Sequence, residues 1–191
     1  MSRIIAGKAK GRRLAAPKGS HTRPTTDRTR EALFSVLASW FGAADGEADD
    51  QLAGVAVLDL FAGSGAVGLE AASRGAGPVV LVEADRATAA LIESNAASAS
   101  LRVEVRAMKA QTFVASKGHG FDLVFLDPPY DLPTERVDEL LTELAVGVLA
   151  DRGLAVVERS GRSTPPRFPA HFTETWSREY GETTLYFGAL S

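Results

Sequence analysis

From Val55 onward the chain alternates between two hydrophobic periods. Five short apolar runs rich in β-branched residues, VAVLDLF, PVVLVEA, LRVEVRAM, FDLVFLD and GLAVVER, read as strands. Between them lie helical patterns at 65–74, 86–99, 110–117 and 133–150. Near-continuous apolar strands separated by helices predict a parallel sheet covered on both faces, since parallel strands need a crossover connection. The ending FTETWSREYGETTLYFGAL breaks this rhythm: two alternating runs flank Gly181 and predict an antiparallel hairpin at the edge of the sheet. Upstream, Ala32, Leu33, Val36, Leu37, Trp40 and Phe41 fall on one face of a helix that Thr26 or Asp27 would cap. The stretch GAADGEADDQLAG that follows reads as a polar linker.

Composition adds a boundary and an asymmetry. With 191 residues, 45% hydrophobic and 24% charged, the chain fits one soluble globular domain with an appendage. The absence of cysteine excludes disulfides, thiolate metal sites and cysteine nucleophiles, and the scattered His21, His119 and His171 have no metal-ligand spacing, so no metal is expected. No apolar run reaches the roughly 18 residues of a membrane span, and MSRIIAGKAKGRR lacks the apolar core of a signal peptide, which predicts a cytoplasmic protein with no membrane partner. The net charge of −3 hides a segregation. Residues 1–30 carry nine Lys or Arg against one acid, a net +8, leaving −11 on the remainder. A basic arm on an acidic body points to a polyanionic partner such as nucleic acid, against the plainer alternative of a solvated tail. Within RIIAGKAKGRRLAAP, Ile4, Ile5 and Leu14 are apolar enough to form a small hairpin docked on the body. The division expected is a basic nucleic-acid-binding extension over 1–24, with Arg3, Lys8, Lys10, Arg12, Arg13 and Lys18 as its contacts, and a main domain over 25–191.

In an open α/β sheet, ligands bind beyond the carboxyl ends of the strands. The first of the five runs continues as DLFAGSGAVGLEAA, where Gly63, Gly65 and Gly68 spell G-x-G-x-x-G, a loop that lets a ligand approach the backbone before a helix begins. Glu83 closes the next strand 20 residues after Gly63, where a carboxylate can accept both hydroxyls of an adenosine ribose. That spacing also serves NAD. Asp59 separates the two cofactors, because a carboxylate at the first strand end would repel a pyrophosphate but can receive the ammonium of S-adenosylmethionine. At the fourth strand end stand Asp127, Pro128, Pro129 and Tyr130. Two prolines end the strand in one stiff turn. The Asp127 carboxylate and the Pro128 carbonyl could then accept the two N–H groups of an exocyclic amine on a nucleobase and stabilise positive charge as the nitrogen attacks a methyl group. Tyr130 offers a stacking face for a base taken out of its helix.

DPPY after an apolar strand, with DLFAGSGAVGLEA upstream, resembles the amino-group class of S-adenosylmethionine-dependent nucleic-acid methyltransferases. RIIAGKAKGRRLAAP, RPTTDRTREALFSVL and YGETTLYFGAL narrow the resemblance, almost end to end, to the bacterial 16S ribosomal RNA guanine-N2 methyltransferase family. The resemblance implies a Rossmann-like seven-stranded methyltransferase fold and methylation of one guanine N2, guanine 966 in the customary numbering, in an assembling 30S particle with its ribosomal proteins. It also implies a monomer. By the same resemblance Arg23 and Thr25 help close the cofactor site, Asp59, Phe61, Gly63, Ser64 and Gly65 line it, and Glu83 with Ala84 takes the ribose. Asp127, Pro128, Pro129 and Tyr130 serve the guanine, Asp127 also bordering the cofactor. In RAMKA, Arg106 stands where relatives carry a polar or acidic adenine contact, so adenine would rest on the Ala107 and Met108 backbone. The competing readings are a DNA adenine-N6 or cytosine-N4 methyltransferase, an NAD-dependent oxidoreductase, and a non-catalytic RNA-binding assembly factor on the same fold.

Overall fold

The computed structural model describes residues 2–17, 26–116, 118 and 120–191, so Lys18, Arg23 and Thr25 lie outside the described residues. Two short strands, β1 (Ser2–Arg3) and β2 (Arg13–Leu14), pair antiparallel at the start of the chain. Helix α1 (Asp27–Trp40) follows, capped by Thr26, whose hydroxyl accepts from the Thr29 N–H at 3.1 Å. The main body is built from β3 (Val57–Asp59), α2 (Ala66–Ser73), β4 (Val79–Glu83), α3 (Arg86–Ser98), β5 (Glu104–Ala107), α4 (Ala110–Ala115), β6 (Phe121–Leu126), α5 (Thr134–Gly147) and β7 (Leu149–Ser160). It ends in the antiparallel hairpin β8 (Phe172–Tyr180) and β9 (Thr183–Leu190). The seven strands run in the order β5-β4-β3-β6-β7-β9-β8, parallel from β5 to β7, with β9 inserted antiparallel between β7 and β8. This is the mostly parallel, Rossmann-like sheet expected from the alternating runs.

Side chains alternate across the sheet and sort the core into two layers. Val57, Leu81, Phe125, Val156 and Phe187 face α1, α2 and α3, meeting Leu33, Phe34, Val67 and Ile92. Leu58, Val82, Val124, Leu126 and Val157 face α4 and α5, meeting Phe113, Val137, Leu140 and Leu144. The segment read as a polar linker is packed rather than loose: Leu52 is fully buried, and its N–H donates to the Arg74 carbonyl at 2.9 Å.

Helix α1 departs from its expected face. Leu33 and Leu37 are buried as the periodicity predicts, but Thr29, Arg30, Phe34 and Ala38 join them, while Ala32, Val36, Trp40 and Phe41 are only half-buried. Trp40 instead stacks on Trp176, with centroids 5.2 Å apart, and Trp176 on Phe187 at 4.9 Å. The stripe turns toward Arg30 because a buried partner neutralises that arginine, which an apolar pattern does not reveal. Arg30 and Glu70 are both 0% exposed, and the Arg30 Nε lies 3.9 Å from a Glu70 oxygen. Arg30 also donates to the Ser2 hydroxyl at 3.0 Å, to the Arg3 carbonyl and to Asp27 at 3.0 Å. Glu70 accepts from the Ile5 N–H at 2.7 Å, the Ala6 N–H at 3.0 Å and the Arg74 Nε at 2.9 Å. Arg74 in turn lies over the Phe34 ring, 4.8 Å from its centroid.

The first hairpin is thereby fastened to the body at several points. Ile4 and Leu14 pack on Leu69, Ala96 and Ala99. Gly7, at φ +82°, passes so close to Ser73 that an added Cβ would lie 2.0 Å from its carbonyl oxygen. The Ser73 hydroxyl accepts from the Ala9 N–H at 2.9 Å and donates to the Ala6 carbonyl at 2.6 Å.

Glu70→Ala should destabilise the protein by about 3–5 kcal/mol, because it removes the acceptor of Arg74 and of two hairpin N–H groups and leaves the buried Arg30 with Asp27 as its remaining carboxylate. Pairing it with Arg30→Met should recover a large part of that loss, and urea denaturation of the single and double variants measures both.

Candidate active site

Register puts four carboxylates at one end of the sheet. Asp59 pairs with Leu81 of β4 and with Phe125 of β6, so Glu83 and Asp127 each stand two residues further along their strands. Leu126 pairs with Val157, which sets Asp127 beside Glu158 of β7. Each acid follows by two residues a side chain of the α1, α2 and α3 layer, namely Val57, Leu81, Phe125 and Val156, so the alternation turns all four to that face. Asp59 therefore sits two residues below an acidic row of Glu83, Asp127 and Glu158 at this end of the sheet. The row lies at the point where the strand order reverses between β3 and β6.

The three glycines of the loop do different work. Gly63 takes φ +55° and has open space where a Cβ would stand, so the backbone there is accessible. A Cβ on Gly65 would meet Ile92 at 3.0 Å, and one on Gly68 would meet Leu81 at 2.6 Å, so these two serve the packing of α2 and α3 on the sheet. Glu83 steadies the loop, accepting from the Gly63 N–H at 3.0 Å and from the Asp85 N–H at 2.9 Å. Asn95 of α3, buried, reaches it from below: its amide donates to the Ser64 carbonyl and to the Ala15 carbonyl, both at 3.0 Å, and accepts from the Ala15 N–H at 2.9 Å. One side chain thus joins the basic extension to the glycine loop.

The Asp59 oxygen Oδ2 accepts from the Gly68 N–H at 3.0 Å in the first turn of α2. This carboxylate occupies the helix N-terminus that a dinucleotide pyrophosphate would need. Burial pushes the Asp59 carboxyl up to about 7, the Glu83 and Glu158 charges adding to it and the Gly68 N–H opposing. Asp127 is held well above the usual carboxylate range, first by burial and then by Glu158 and Asp59, with Arg159 opposing.

After Asp127, Pro128 is buried, while Tyr130 stands 77% exposed. The turn closes with the Leu132 N–H donating to the Pro129 carbonyl at 2.9 Å. Arg159, on the opposite face of β7 from Glu158, donates to the Leu132 carbonyl at 3.2 Å and braces this turn from behind. Of the other predicted contacts, Phe61, Ser64 and Met108 are half-buried beside these strands, Ala84 and Ala107 are exposed at strand ends, and Arg106 pairs with Glu104. Arg3, Lys8, Lys10, Arg12 and Arg13 are exposed on the extension, and Arg3 lies 3.7 Å from Asp27. Arg30, one of the nine basic residues counted in the first thirty, is buried and takes no part in that surface. Glu158, Arg159 and Asn95 were not singled out from the sequence. Glu158 could have been, since it closes the fifth strand as Glu83 and Asp127 close theirs. Among the described residues no group of His, Asp or Glu converges as a metal site, and no helix is long and apolar enough to cross a membrane.

The raised Asp59 value has a measurable sign. Native Asp59 keeps a proton that the unfolded carboxyl, near 3.8, has lost. Unfolding stability should therefore fall as pH rises from about 4 to about 7, by roughly 4 kcal/mol for a shift of this size, and level off above. Asp59→Asn should lessen that slope in urea denaturation across the same pH range, the raised Asp127 carboxyl keeping its own share of it.

The chain matches the family model described as "Conserved hypothetical protein 95" over residues 2–189. It is 38% identical over 174 residues to the Ribosomal RNA small subunit methyltransferase D of Escherichia coli (strain K12), covering 90% of this chain and 81% of the relative. Among solved structures, a hypothetical protein of Thermus thermophilus superposes with a TM-score of 0.81 at 33% identity, covering 98% of both chains. The magnesium protoporphyrin IX methyltransferase of Synechocystis PCC 6803, solved with bound S-adenosylmethionine, shares the fold at a TM-score of 0.62 and 16% identity, over 91% of this chain and 87% of that one. With the family model spanning nearly every residue and the Escherichia coli relative matched over most of its length, the chain belongs to the small-subunit ribosomal RNA methyltransferase family.

Proposed function

We propose that this protein methylates the exocyclic N2 of one guanine in 16S ribosomal RNA, within an assembling small subunit, using S-adenosylmethionine. The observation that carries the reading is the row of acids Glu83, Asp59, Asp127 and Glu158 that strand register sets at one end of the sheet, beside the open Gly63 of the glycine loop. Such a row of acids favours a cationic ligand and disfavours a dinucleotide, whose pyrophosphate would also find the start of α2 already held by Asp59. In this reading Glu83, whose carboxylate accepts from the Gly63 N–H, takes the ribose hydroxyls together with Ala84, Phe61 lines the site, and adenine rests on the Ala107 and Met108 backbone. Arg23 and Thr25 are proposed to close the same site.

Bound there, S-adenosylmethionine supplies an electrophilic methyl whose carbon–sulfur bond breaks as the bond to nitrogen forms, the sulfur keeping the electron pair. Asp127 and the Pro128 carbonyl hold the amine through its N–H groups, which directs the nitrogen lone pair toward the methyl. A carboxyl held above its usual range binds protons more readily than an exposed one, so Asp127 is also suited to take the proton that the methylated nitrogen releases. Pro129 keeps the turn stiff, and the exposed Tyr130 ring is available to stack on the extruded base. The extension presents Arg3, Lys8, Lys10, Arg12 and Arg13 to the RNA phosphates, with Lys18 continuing the run, and the body carries the opposite charge.

Small subunits from a strain lacking the enzyme, incubated with labelled S-adenosylmethionine, should acquire one label on guanine N2, and label on another base or amine would overturn the assignment. In the same assay Asp127→Ala should lower turnover about 100- to 1000-fold with little change in S-adenosylhomocysteine binding. Replacing Lys8, Lys10, Arg12 and Arg13 together by Ala should leave cofactor binding intact and weaken subunit binding. The slope of log affinity against log salt should drop by about 0.7 to 0.9 for each phosphate that the variant no longer neutralises. Wild-type affinity and slope in that variant would make the arm a solvated tail.

A further inference from the structure

Guanine, adenine and cytosine each offer an exocyclic amine, and a site that grips only the amine does not tell them apart. The neighbouring ring atom does. Beside guanine N2 stands N1, which carries a hydrogen and donates, whereas the ring nitrogens beside adenine N6 and cytosine N4 are bare acceptors. An acceptor placed next to the amine-binding group therefore selects guanine, and a carboxylate there repels the lone pair of the other two.

We propose that Glu158 selects guanine by accepting its N1–H while Asp127 holds N2. This rests on the guanine-N2 reading above and names the residue that chooses that base. The register is the main support: the pairing of Leu126 with Val157 sets Glu158 directly beside Asp127, one interstrand spacing of about 4.8 Å away. Both side chains face the same layer of the sheet, two residues beyond Phe125 and Val156. Across the sheet the acids follow in the order Glu83, Asp59, Asp127, Glu158. With Glu83 and Asp59 on the cofactor side of Asp127, the base that presents its amine to Asp127 extends over β7, where Glu158 stands. Glu158 is only 6% exposed, so a hydrogen bond there forms with little competition from water and discriminates strongly. Arg159, behind the strand, ties β7 to the turn after Asp127 through the Leu132 carbonyl, which keeps the two acids at a constant separation. The influence of Glu158 on the protonation of Asp127 agrees with this proximity.

2-Aminopurine separates the two contacts, because it keeps the amine of guanine but has an unprotonated N1. The test compares small subunits reconstituted with guanine or 2-aminopurine at the methylated position, using wild type and Glu158→Gln. Wild type should favour guanine by about 10- to 100-fold in kcat/KM, the range for a charged hydrogen bond. Glu158→Gln should bring the ratio close to one, since an amide can serve either form of N1. A wild-type circular dichroism spectrum and urea transition report that the variant is folded. A ratio near one in wild type overturns the proposal without reference to any variant, as does a wild-type ratio that survives in folded Glu158→Gln. Methyl transfer by wild type to an amine other than guanine N2 overturns the guanine reading itself, an outcome distinct from either.

Discussion

Like charges crowded at the end of a sheet are the constraint on which the site depends. Asp59, Glu83, Asp127 and Glu158 occupy the ends of four adjacent parallel strands and face one side, with Asp59 two residues below the other three. Neither burial nor mutual repulsion favours four negative charges there, which is why Asp59 and Asp127 hold their protons so tightly. This end of the sheet is therefore poor for anions and receptive to a ligand that brings positive charge. Arg159, the neighbouring cation in sequence, stiffens the turn after Asp127 through the Leu132 carbonyl, and its charge only partly offsets the rise of the Asp127 carboxyl.

A second buried charge, Glu70, links the rest of the molecule to that end of the sheet. It sits in α2, the helix that the glycine loop enters, and it receives two N–H groups of the first hairpin and two arginines from α1 and α2. Asn95 makes a parallel connection from α3, holding Ala15 and the Ser64 carbonyl with one amide. The basic extension is thus built into the same helices that shape the loop.

Much of the architecture was legible because it rests on local rules. Period-two and period-3.6 patterns mark the strands and helices from Val55 onward, and the alternation about Gly181 marks the terminal hairpin. The motif residues Asp59, Gly63, Glu83 and Asp127 could be found because each stands where a strand pattern ends. The face of α1 could not be read correctly, since its centre is a buried arginine whose partner lies forty residues away in Glu70. The polar stretch before β3 was likewise misleading: Leu52 is one apolar residue among acids and glycines, yet it is a full member of the core.

The sequence by itself determined the order of strands and helices, the acids that close the strands, and the separation of a basic start from an acidic remainder, because these follow from residue type and spacing along the chain. Tertiary structure alone decided how those acids stand to one another. The depth of Asp59, the adjacency of Asp127 and Glu158, and the placing of β9 between β7 and β8 depend on interstrand register, a long-range choice governed by the packing of both sheet faces. The same is true of the glycines, which look alike in the motif: Gly63 borders open space while Gly68 lies against Leu81, a difference that appears only when α2 docks on β4.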